Sequence, residues 1–196
     1  MSSGSLGMTV MADCMIHKVR FAAQIADVVH LAREIWQEHY GPIIGREQVD
    51  YMLGKFQSEQ AVTDQLAESY EYYIVVQDKK SLGYMAVIPQ KGEASLMLSK
   101  IYVKKEARGQ GCGGKMLAFA EDLCRRRHIQ KIWLTVNKNN RHSIAWYTRM
   151  GFTKTASLVQ DIGEGFVMDD YRMEKVIGQS VRRPAPHRPN TPPIGP

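Results

Sequence analysis

A run of glycines lies where the hydrophobic pattern of the chain changes from that of a strand to that of a helix. The run reads Arg-Gly-Gln-Gly-Cys-Gly-Gly-Lys from Arg108 to Lys115. Glycines let the backbone approach a ligand closely, and the start of a helix supplies unpaired N–H groups and the positive end of a dipole. The segment therefore predicts a strand, a tight loop and a helix whose first turn can bind an anion.

Hydrophobic periodicity elsewhere predicts alternating helices and strands. Predicted helices cover residues 25–36, 48–56, 60–70, 113–127 and 141–150, and predicted strands cover residues 72–77, 82–88, 94–103, 131–136, 153–161 and 166–175. The first three strands are separated by short turn sequences, which indicates an antiparallel meander. A strand-helix-strand crossover and a closing hairpin follow, so the pattern is that of a mixed α/β fold.

Composition predicts one domain with two tails. Of the eight prolines, six lie in residues 179–196, together with three arginines and no acid. Such a segment buries too little apolar surface to order itself. We expect a flexible leader at residues 1–13, a single domain at residues 14–178 and a Pro/Arg-rich tail at residues 179–196.

Charge and cysteine content exclude several classes of function. The 26 Lys+Arg against 20 Asp+Glu give a net charge of +6, which is too mild to indicate a nucleic-acid partner. No apolar run approaches the ~20 residues of a membrane helix, and the first residues do not resemble a secretory signal. The three cysteines form no C-x-x-C pair and the histidines show no ligand spacing, so we expect a cytoplasmic protein without a metal.

Several kinds of site share the glycine pattern. The glycines satisfy G-x-G-x-x-G, but the next predicted strand ends at Asn137 without the acid that a dinucleotide site requires. They also satisfy G-x-x-x-x-G-K, but Met116 stands where a P-loop needs Ser or Thr for Mg²⁺. A third pattern, Arg-x-x-Gly-x-Gly from Arg108, wraps a pyrophosphate without a metal. A plain flexible turn is the alternative without function.

Four separated elements together resemble the GNAT superfamily of acyl-CoA-dependent N-acetyltransferases. They are Ile101-Tyr102-Val103, the loop from Arg108 to Gly113, Asn140, and Tyr147 with Gly151-Phe152 behind it. The resemblance covers about residues 15–177. It implies a mixed α+β fold with a mostly antiparallel twisted sheet of six to seven strands, one strand-helix-strand crossover and helices on both faces.

The amino-acid sequence of residues 94–175 is similar to the sequences of the branch that contains bacterial spermidine/spermine acetyltransferases. The similar segments are Leu-Ser-Lys-Ile-Tyr-Val at residues 98–103, Val-Asn-Lys-Asn-Asn at residues 136–140, and the stretch from Asp161-Ile162-Gly163 to Met168-Asp169-Asp170-Tyr171. The resemblance implies direct transfer of acetyl from acetyl-CoA to a primary amine in a ternary complex.

The resemblance also implies which residues bind the cosubstrate. They are Ile101, Tyr102, Val103, Arg108, Gly109, Gln110, Gly111, Cys112, Gly113, Gly114, Asn140 and Tyr147. Main-chain groups of Ile101 and Val103 would pair with the pantetheine arm, and the glycine N–H groups would hold the pyrophosphate. Asn140 would hydrogen-bond the pantetheine amide region.

Tyr147 is implied to be the catalytic residue. It would stand beside the thioester sulfur and protonate the leaving thiolate. This is chemically reasonable, since a thiol of pKa ~8.5 leaves more easily when a Tyr of pKa ~10 donates a proton. The alternative is an aromatic residue that only packs beside Trp146.

The general base is missing from its usual place. Many relatives carry a Glu on the strand before the pyrophosphate loop, whereas Met97-Leu98-Ser99-Lys100 contains no carboxylate. Glu93, Glu71, Asp169 or a water chain are the candidates, and each acid has a solvated surface position as its alternative.

The acceptor is expected to be a small amine. A homodimer is one expected arrangement of the enzyme. Trp36 and Tyr40 are expected to wall the acceptor cleft, and Asp169 or Asp170 to attract a cation, with only one of the two facing inward because strand residues alternate. The similarity to polyamine acetyltransferases favours spermidine or spermine. An aminoglycoside, an amino acid, a protein N-terminus, or a CoA-sensing module without catalysis are the alternatives.

Overall fold

Seven strands form one sheet in the computed structural model, which describes residues 14–178. The strands are β1 (Met15–Lys18), β2 (Glu71–Gln77), β3 (Lys80–Gln90), β4 (Ser95–Val103), β5 (Lys131–Asn137), β6 (Thr153–Gly163) and β7 (Phe166–Val176). Their order is β1-β2-β3-β4-β5-β7-β6, and every neighbouring pair is antiparallel except β4–β5. The leader and tail predicted from composition lie outside the described residues.

Within residues 14–178, six helices cover the two faces of this sheet. They are α1 (Ala22–His39), α2 (Gly41–Ile44), α3 (Arg46–Phe56), α4 (Glu59–Ala67), α5 (Cys112–Arg126) and α6 (Arg141–Arg149), with 3-10 turns at Lys91–Glu93 and Lys105–Ala107. Alternate residues of β2 serve opposite cores: Tyr72 and Ile74 pack with α1, whereas Tyr73 and Val75 pack with α5.

The parallel pair β4–β5 separates after a short stretch of pairing. Only Ser95–Met97 of β4 are paired with β5, so the second half of β4 diverges from its neighbour. The register with β3 passes from Ala86↔Lys100 to Val87↔Leu98, which leaves Ser99 as a bulge. The bulge and the divergence open the sheet on the side where the glycine loop begins.

One glycine on β3 is required by this local geometry. A Cβ atom at Gly83 would lie 2.3 Å from the carbonyl oxygen of Tyr102. The β3 backbone therefore approaches the diverging half of β4 closely because residue 83 has no side chain.

The predicted architecture is confirmed, including the meander β2–β4, the crossover through α5 and the closing hairpin β6–β7. Two elements were not predicted. β1 has only four residues with little burial, so its sequence carries too weak a pattern. The single turn α2 follows directly on α1, and its four residues are too few to give a periodic signal.

Candidate active site

The glycine loop adopts conformations that favour glycine. The φ angles of Gly109 and Gly111 are +76° and +83°. The N–H of Lys115 donates to the Gly111 carbonyl at 3.0 Å, so the N–H groups of residues 112–114 have no acceptor inside α5. Those groups and the helix dipole make the first turn of α5 suited to a pyrophosphate.

A cleft of about 980 Å³ extends from this loop along the opened part of the sheet. Among its lining residues are Ile101, Tyr102, Val103, Arg108, Gly109, Gly111, Gly113, Gly114, Asn140 and Tyr147. The structure thus brings together, around one cleft, most residues that the sequence predicts for the cosubstrate. We refer to it as the cofactor cleft.

Two of the predicted residues direct their side chains away from the cofactor cleft. The Gln110 amide donates to the Glu106 carbonyl at 2.7 Å. Cys112 is buried, with its sulfur 3.0 Å from that of Cys14. These two residues could therefore contact the cosubstrate only through their main-chain groups.

Arg108 is already engaged in the structure. Its guanidinium forms two hydrogen bonds to the Glu38 carboxylate, of 3.2 and 2.6 Å, and its Nε donates to the Val103 carbonyl at 3.0 Å. The hydrogen bond from Arg108 lowers the pKa of Glu38. Arg108 therefore connects α1 to the end of β4. The Glu38 carboxylate neutralises part of the charge of Arg108 beside the glycine loop.

Asn140 is the N-cap of α6 and is buried. Its Oδ1 accepts the Ser143 N–H at 3.2 Å, and its Nδ2 lies 3.1 Å from Nε2 of His39. An amide nitrogen can only donate, so His39 accepts this hydrogen bond and its ring is neutral. Burial lowers the pKa of His39, in agreement. His39 also lines the cofactor cleft, and no pattern in the sequence indicates that.

Tyr147 lies on α6 and lines the cofactor cleft. Its ring is buried between Trp146 and Phe152, at centroid distances of 5.1 and 5.6 Å. Burial raises the pKa of the Tyr147 phenol, so the phenol keeps its proton at neutral pH. The geometry therefore provides both the packing of the alternative interpretation and a protonated hydroxyl group beside the cleft.

A second cavity, of about 260 Å³, lies on the other side of the opened sheet and is called the acceptor cavity here. Five residues line both spaces, namely Tyr40, Ser99, Tyr102, Thr135 and Val136. Trp36 and Tyr40 form an aromatic wall of the acceptor cavity, with ring centroids 4.8 Å apart. The two cavities therefore meet at a common wall.

The structure distinguishes the two neighbouring aspartates of β7. Asp170 is only 6% exposed and lines the acceptor cavity. Burial raises the pKa of its carboxyl group. Asp169 is exposed, forms an ion pair with Lys138 and does not line the cavity. The alternation of strand side chains thus favours Asp170, and not Asp169, as the acid of this cavity.

Sequence reasoning missed Lys100, which is buried in the wall of the acceptor cavity. Its amine donates to Oε1 of Gln65 at 2.8 Å. Burial lowers the pKa of Lys100 to about 7. A lysine within a strand of alternating residues is a usable signal, but its burial depends on α4, which is remote in the sequence.

The two other acids considered as bases lie away from both cavities. Glu71 forms ion pairs with Lys18 at 3.0 Å and with Arg127 at 2.6 Å. Burial opposes ionisation of Glu71, but hydrogen bonds from Arg127, Tyr73 and Lys18 lower its pKa to about 2. Glu93 lies in a 3-10 turn at the start of β4.

Neither a metal-ligand cluster nor a membrane-spanning helix is found in residues 14–178. Within that range no group of three or more His, Cys, Asp or Glu side chains is arranged to hold a metal ion. None of the helices of that range is long and apolar enough to cross a membrane.

Comparison with known proteins identifies the family. The family model described as acetyltransferase (GNAT) family matches residues 27–152. An uncharacterized N-acetyltransferase in the pepI 3′ region of Lactobacillus delbrueckii subsp. lactis is 22% identical over 161 residues, which cover 78% of this chain and 92% of that protein.

Solved structures show the same fold. The PaiA N-acetyltransferase of Thermoplasma acidophilum, in complex with coenzyme A, has a TM-score of 0.69 at 20% identity, covering 84% of this chain and 99% of that one. A chimera of the spermidine N-acetyltransferase SpeG from Vibrio cholerae and hSSAT has a TM-score of 0.63 at 17% identity, covering 83% and 95%.

The cofactor cleft fits the cosubstrate that this family uses. Left-handed glycines, unpaired N–H groups at the start of α5 and a diverging strand edge line one continuous space. Together with the match over residues 27–152, these features show that the chain belongs to the GNAT family and is an acyl-CoA-dependent N-acetyltransferase that uses acetyl-CoA.

Proposed function

We propose that this enzyme transfers acetyl directly to a primary amine bound in the acceptor cavity, and that the amine is a polyamine such as spermidine or spermine. The observation that carries the proposal is the common wall of the two cavities, formed by Tyr40, Ser99, Tyr102, Thr135 and Val136. At these shared residues an amine in the acceptor cavity would lie next to a thioester in the cofactor cleft, so the transfer would need no covalent enzyme intermediate.

Residues of the cofactor cleft would orient the thioester and assist its cleavage. The glycine loop would hold the pyrophosphate, and the unpaired edge of β4 at Ile101 and Val103 offers main-chain groups to the pantetheine arm. The amine nitrogen attacks the thioester carbonyl carbon, and the carbon–sulfur bond breaks. Tyr147 donates its proton to the leaving thiolate.

The acceptor cavity favours a cation. Asp170 is a buried carboxylate, and a charge pair at 4 Å is worth about 1 to 4 kcal/mol, depending on how far water is excluded. The aromatic rings of Trp36, Tyr40 and Tyr102 also line the cavity, where they would add cation–π attraction. The similarity of residues 94–175 to the branch that contains polyamine acetyltransferases supports a polyamine over other amines.

The first prediction concerns Asp170. Replacement by asparagine should raise the KM for spermidine about 10-fold, as expected for the loss of about 1.4 kcal/mol of attraction, with a smaller change in kcat. Salt should also raise the wild-type KM, because ions screen the attraction. Since burial raises the pKa of Asp170, the KM should fall as the pH rises through that pKa and the carboxylate forms.

Asp169→Asn is the matched control, since Asp169 neighbours Asp170 but pairs with Lys138 outside the cavity. Its KM should stay near that of the wild type. Equal effects of the two substitutions would show that neither acid binds the acceptor specifically.

The function itself is tested by following thiol release from acetyl-CoA. The acceptors to compare are polyamines, aminoglycosides, amino acids and peptide N-termini. Release with another amine and none with polyamines would refute the polyamine acceptor and leave the acetyltransferase. Binding of acetyl-CoA without release to any amine would instead indicate a CoA-sensing module.

A further inference from the structure

The attacking amine must lose a proton, and no residue assigned so far accepts it. An alkylamine has a pKa of ~10.4, so it enters the cavity mainly as an ammonium ion. Apart from tyrosines, the titratable side chains that line the acceptor cavity are Lys100 and Asp170. The proton acceptor is to be sought between these two.

Lys100 stands at the bulge where β4 diverges from β5. Its neighbour Ser99 lines both the acceptor cavity and the cofactor cleft. The bulge turns Leu98 and Ile101 toward the core under α5, and Lys100 toward α4 and the acceptor cavity. Lys100 therefore lies next to the residues that the two cavities share, where the amine and the thioester would meet.

The Lys100 amine is held by one hydrogen bond, to Oε1 of Gln65 at 2.8 Å. The same oxygen accepts the Tyr72 hydroxyl at 2.6 Å, and Nε2 of Gln65 donates to the Phe56 carbonyl at 3.1 Å. These contacts fix the amide with its oxygen toward Lys100. A neutral amine in this position spends one N–H on Gln65 and keeps a lone pair for another partner.

Burial acts against the charged form of the Lys100 amine, and the contacts around the amine offset this only in part. Among the described side chains, no carboxylate lies within ion-pair distance of its amine. The rings of Tyr72 of β2 and of Tyr70, the residue before β2, face the amine at 5.3 and 5.1 Å, and these cation–π contacts favour the charged form. Tyr40 at the C-cap of α1, Tyr102 of β4 and Asp170 of β7 complete the titratable lining of the cavity.

Burial lowers the pKa of Lys100 to about 7, so a large fraction of the amine is unprotonated at neutral pH. A cationic acceptor in the same cavity would lower this pKa further, because like charges repel. The substrate itself would therefore help to keep Lys100 in its basic form.

Asp170 is less suited to the same task. A carboxylate that holds the cation by its charge gives up that attraction when it takes the proton, and it is the weaker base of the two. The two side chains are better suited to separate tasks, binding of the cation by Asp170 and removal of its proton by Lys100.

We propose that Lys100 is the general base that deprotonates the acceptor amine. This role of Lys100 rests on the proposed function. The ammonium nitrogen gives one proton to Nζ of Lys100, directly or through one water, and Lys100 later releases it to solvent. The free amine attacks the thioester carbon, and the carbon–sulfur bond breaks. Tyr147 gives its proton to the thiolate, and the nitrogen then loses a second proton, which restores the Tyr147 hydroxyl.

The test measures thiol release from acetyl-CoA with spermidine against pH, for the wild type, Lys100→Met and Lys100→Arg. The wild-type kcat should fall on the acid side of a pKa near that of Lys100. Both variants should lose about 100-fold in kcat at neutral pH, the usual size for a general base. Their rates should rise toward the pKa of the free acceptor, and arginine should not rescue, because it stays protonated.

Two controls separate chemistry from folding. The dissociation constant for CoA should be unchanged in both variants, since Lys100 does not line the cofactor cleft. Lys104→Met should behave as the wild type, because Lys104 forms a surface ion pair with Glu34. If the Lys100 variants do not fold, the dependence of the wild-type kcat on pH still tests the role of Lys100. A wild-type kcat that does not change with pH around neutrality overturns the proposal.

The outcomes also separate this proposal from the proposed function. A wild type that acetylates spermidine, with Lys100→Met within about two-fold of it and the same pH profile, overturns the role of Lys100 alone. A wild type that releases no thiol with any amine overturns the proposed function, and the role of Lys100 with it.

Discussion

Gly114→Leu is expected to weaken CoA binding about 100-fold or more, because the side chain would displace the pyrophosphate from at least two N–H donors, each worth about 1.5 kcal/mol or more. Gly114 lies in the first turn of α5 and lines the cofactor cleft. A Cβ atom at Gly114 meets no protein atom within 4 Å, so the new side chain begins in open space beside the cleft that the ligand would fill. Isothermal titration with CoA measures the loss.

Stability should not fall in this variant, because leucine is a better helix former than glycine by about 0.5 to 1 kcal/mol. Gly54→Leu is the matched control, since Gly54 is exposed in α3 and its added Cβ also meets nothing within 4 Å. Gly111 is a less clean target, because its φ of +83° makes any side chain strained. Unchanged CoA affinity in Gly114→Leu, with a normal thermal transition, would show that the pyrophosphate does not bind at this turn.

The sequence was sufficient for the fold because most elements carry their own periodic signal. The loop glycines, the meander and the crossover are local patterns, and the sheet follows from them. β1 was missed because a four-residue edge strand is defined by its pairing with β2, more than fifty residues away in the chain. Long-range pairing of this kind leaves little trace in a short segment.

The interior of the site was predicted less completely, since burial decides its chemistry. Strand alternation predicted that one of Asp169 and Asp170 faces the cavity, but the packing of β7 decides which. The sequence does not reveal that Lys100 is buried. Its burial becomes visible only in the fold, where its amine contacts Gln65 of α4 in the acceptor cavity. Likewise, the contact of Asn140 with His39 joins residues that no motif connects.

Tyr147→Phe is expected to lower kcat about 100-fold or more, the loss typical of a missing general acid, with little change in the dissociation constant for CoA. Phenylalanine keeps the ring contacts with Trp146 and Phe152 and removes only the hydroxyl group. Because burial raises the pKa of Tyr147, the phenol stays protonated through pH 9, and the loss should persist over that range. Thiol-release kinetics from pH 7 to 9 with saturating acetyl-CoA measure it.

Tyr73→Phe is the control that separates this role from packing. Tyr73 is buried in the same core cluster as Tyr147, but its hydroxyl donates to Glu71 at 2.7 Å and its side chain lines neither cavity. Removal of that hydroxyl should cost stability and leave kcat near the wild-type value. If both variants turn over at the wild-type rate, Tyr147 is a packing residue, and the proton on the leaving thiolate must come from a water molecule or from the attacking amine.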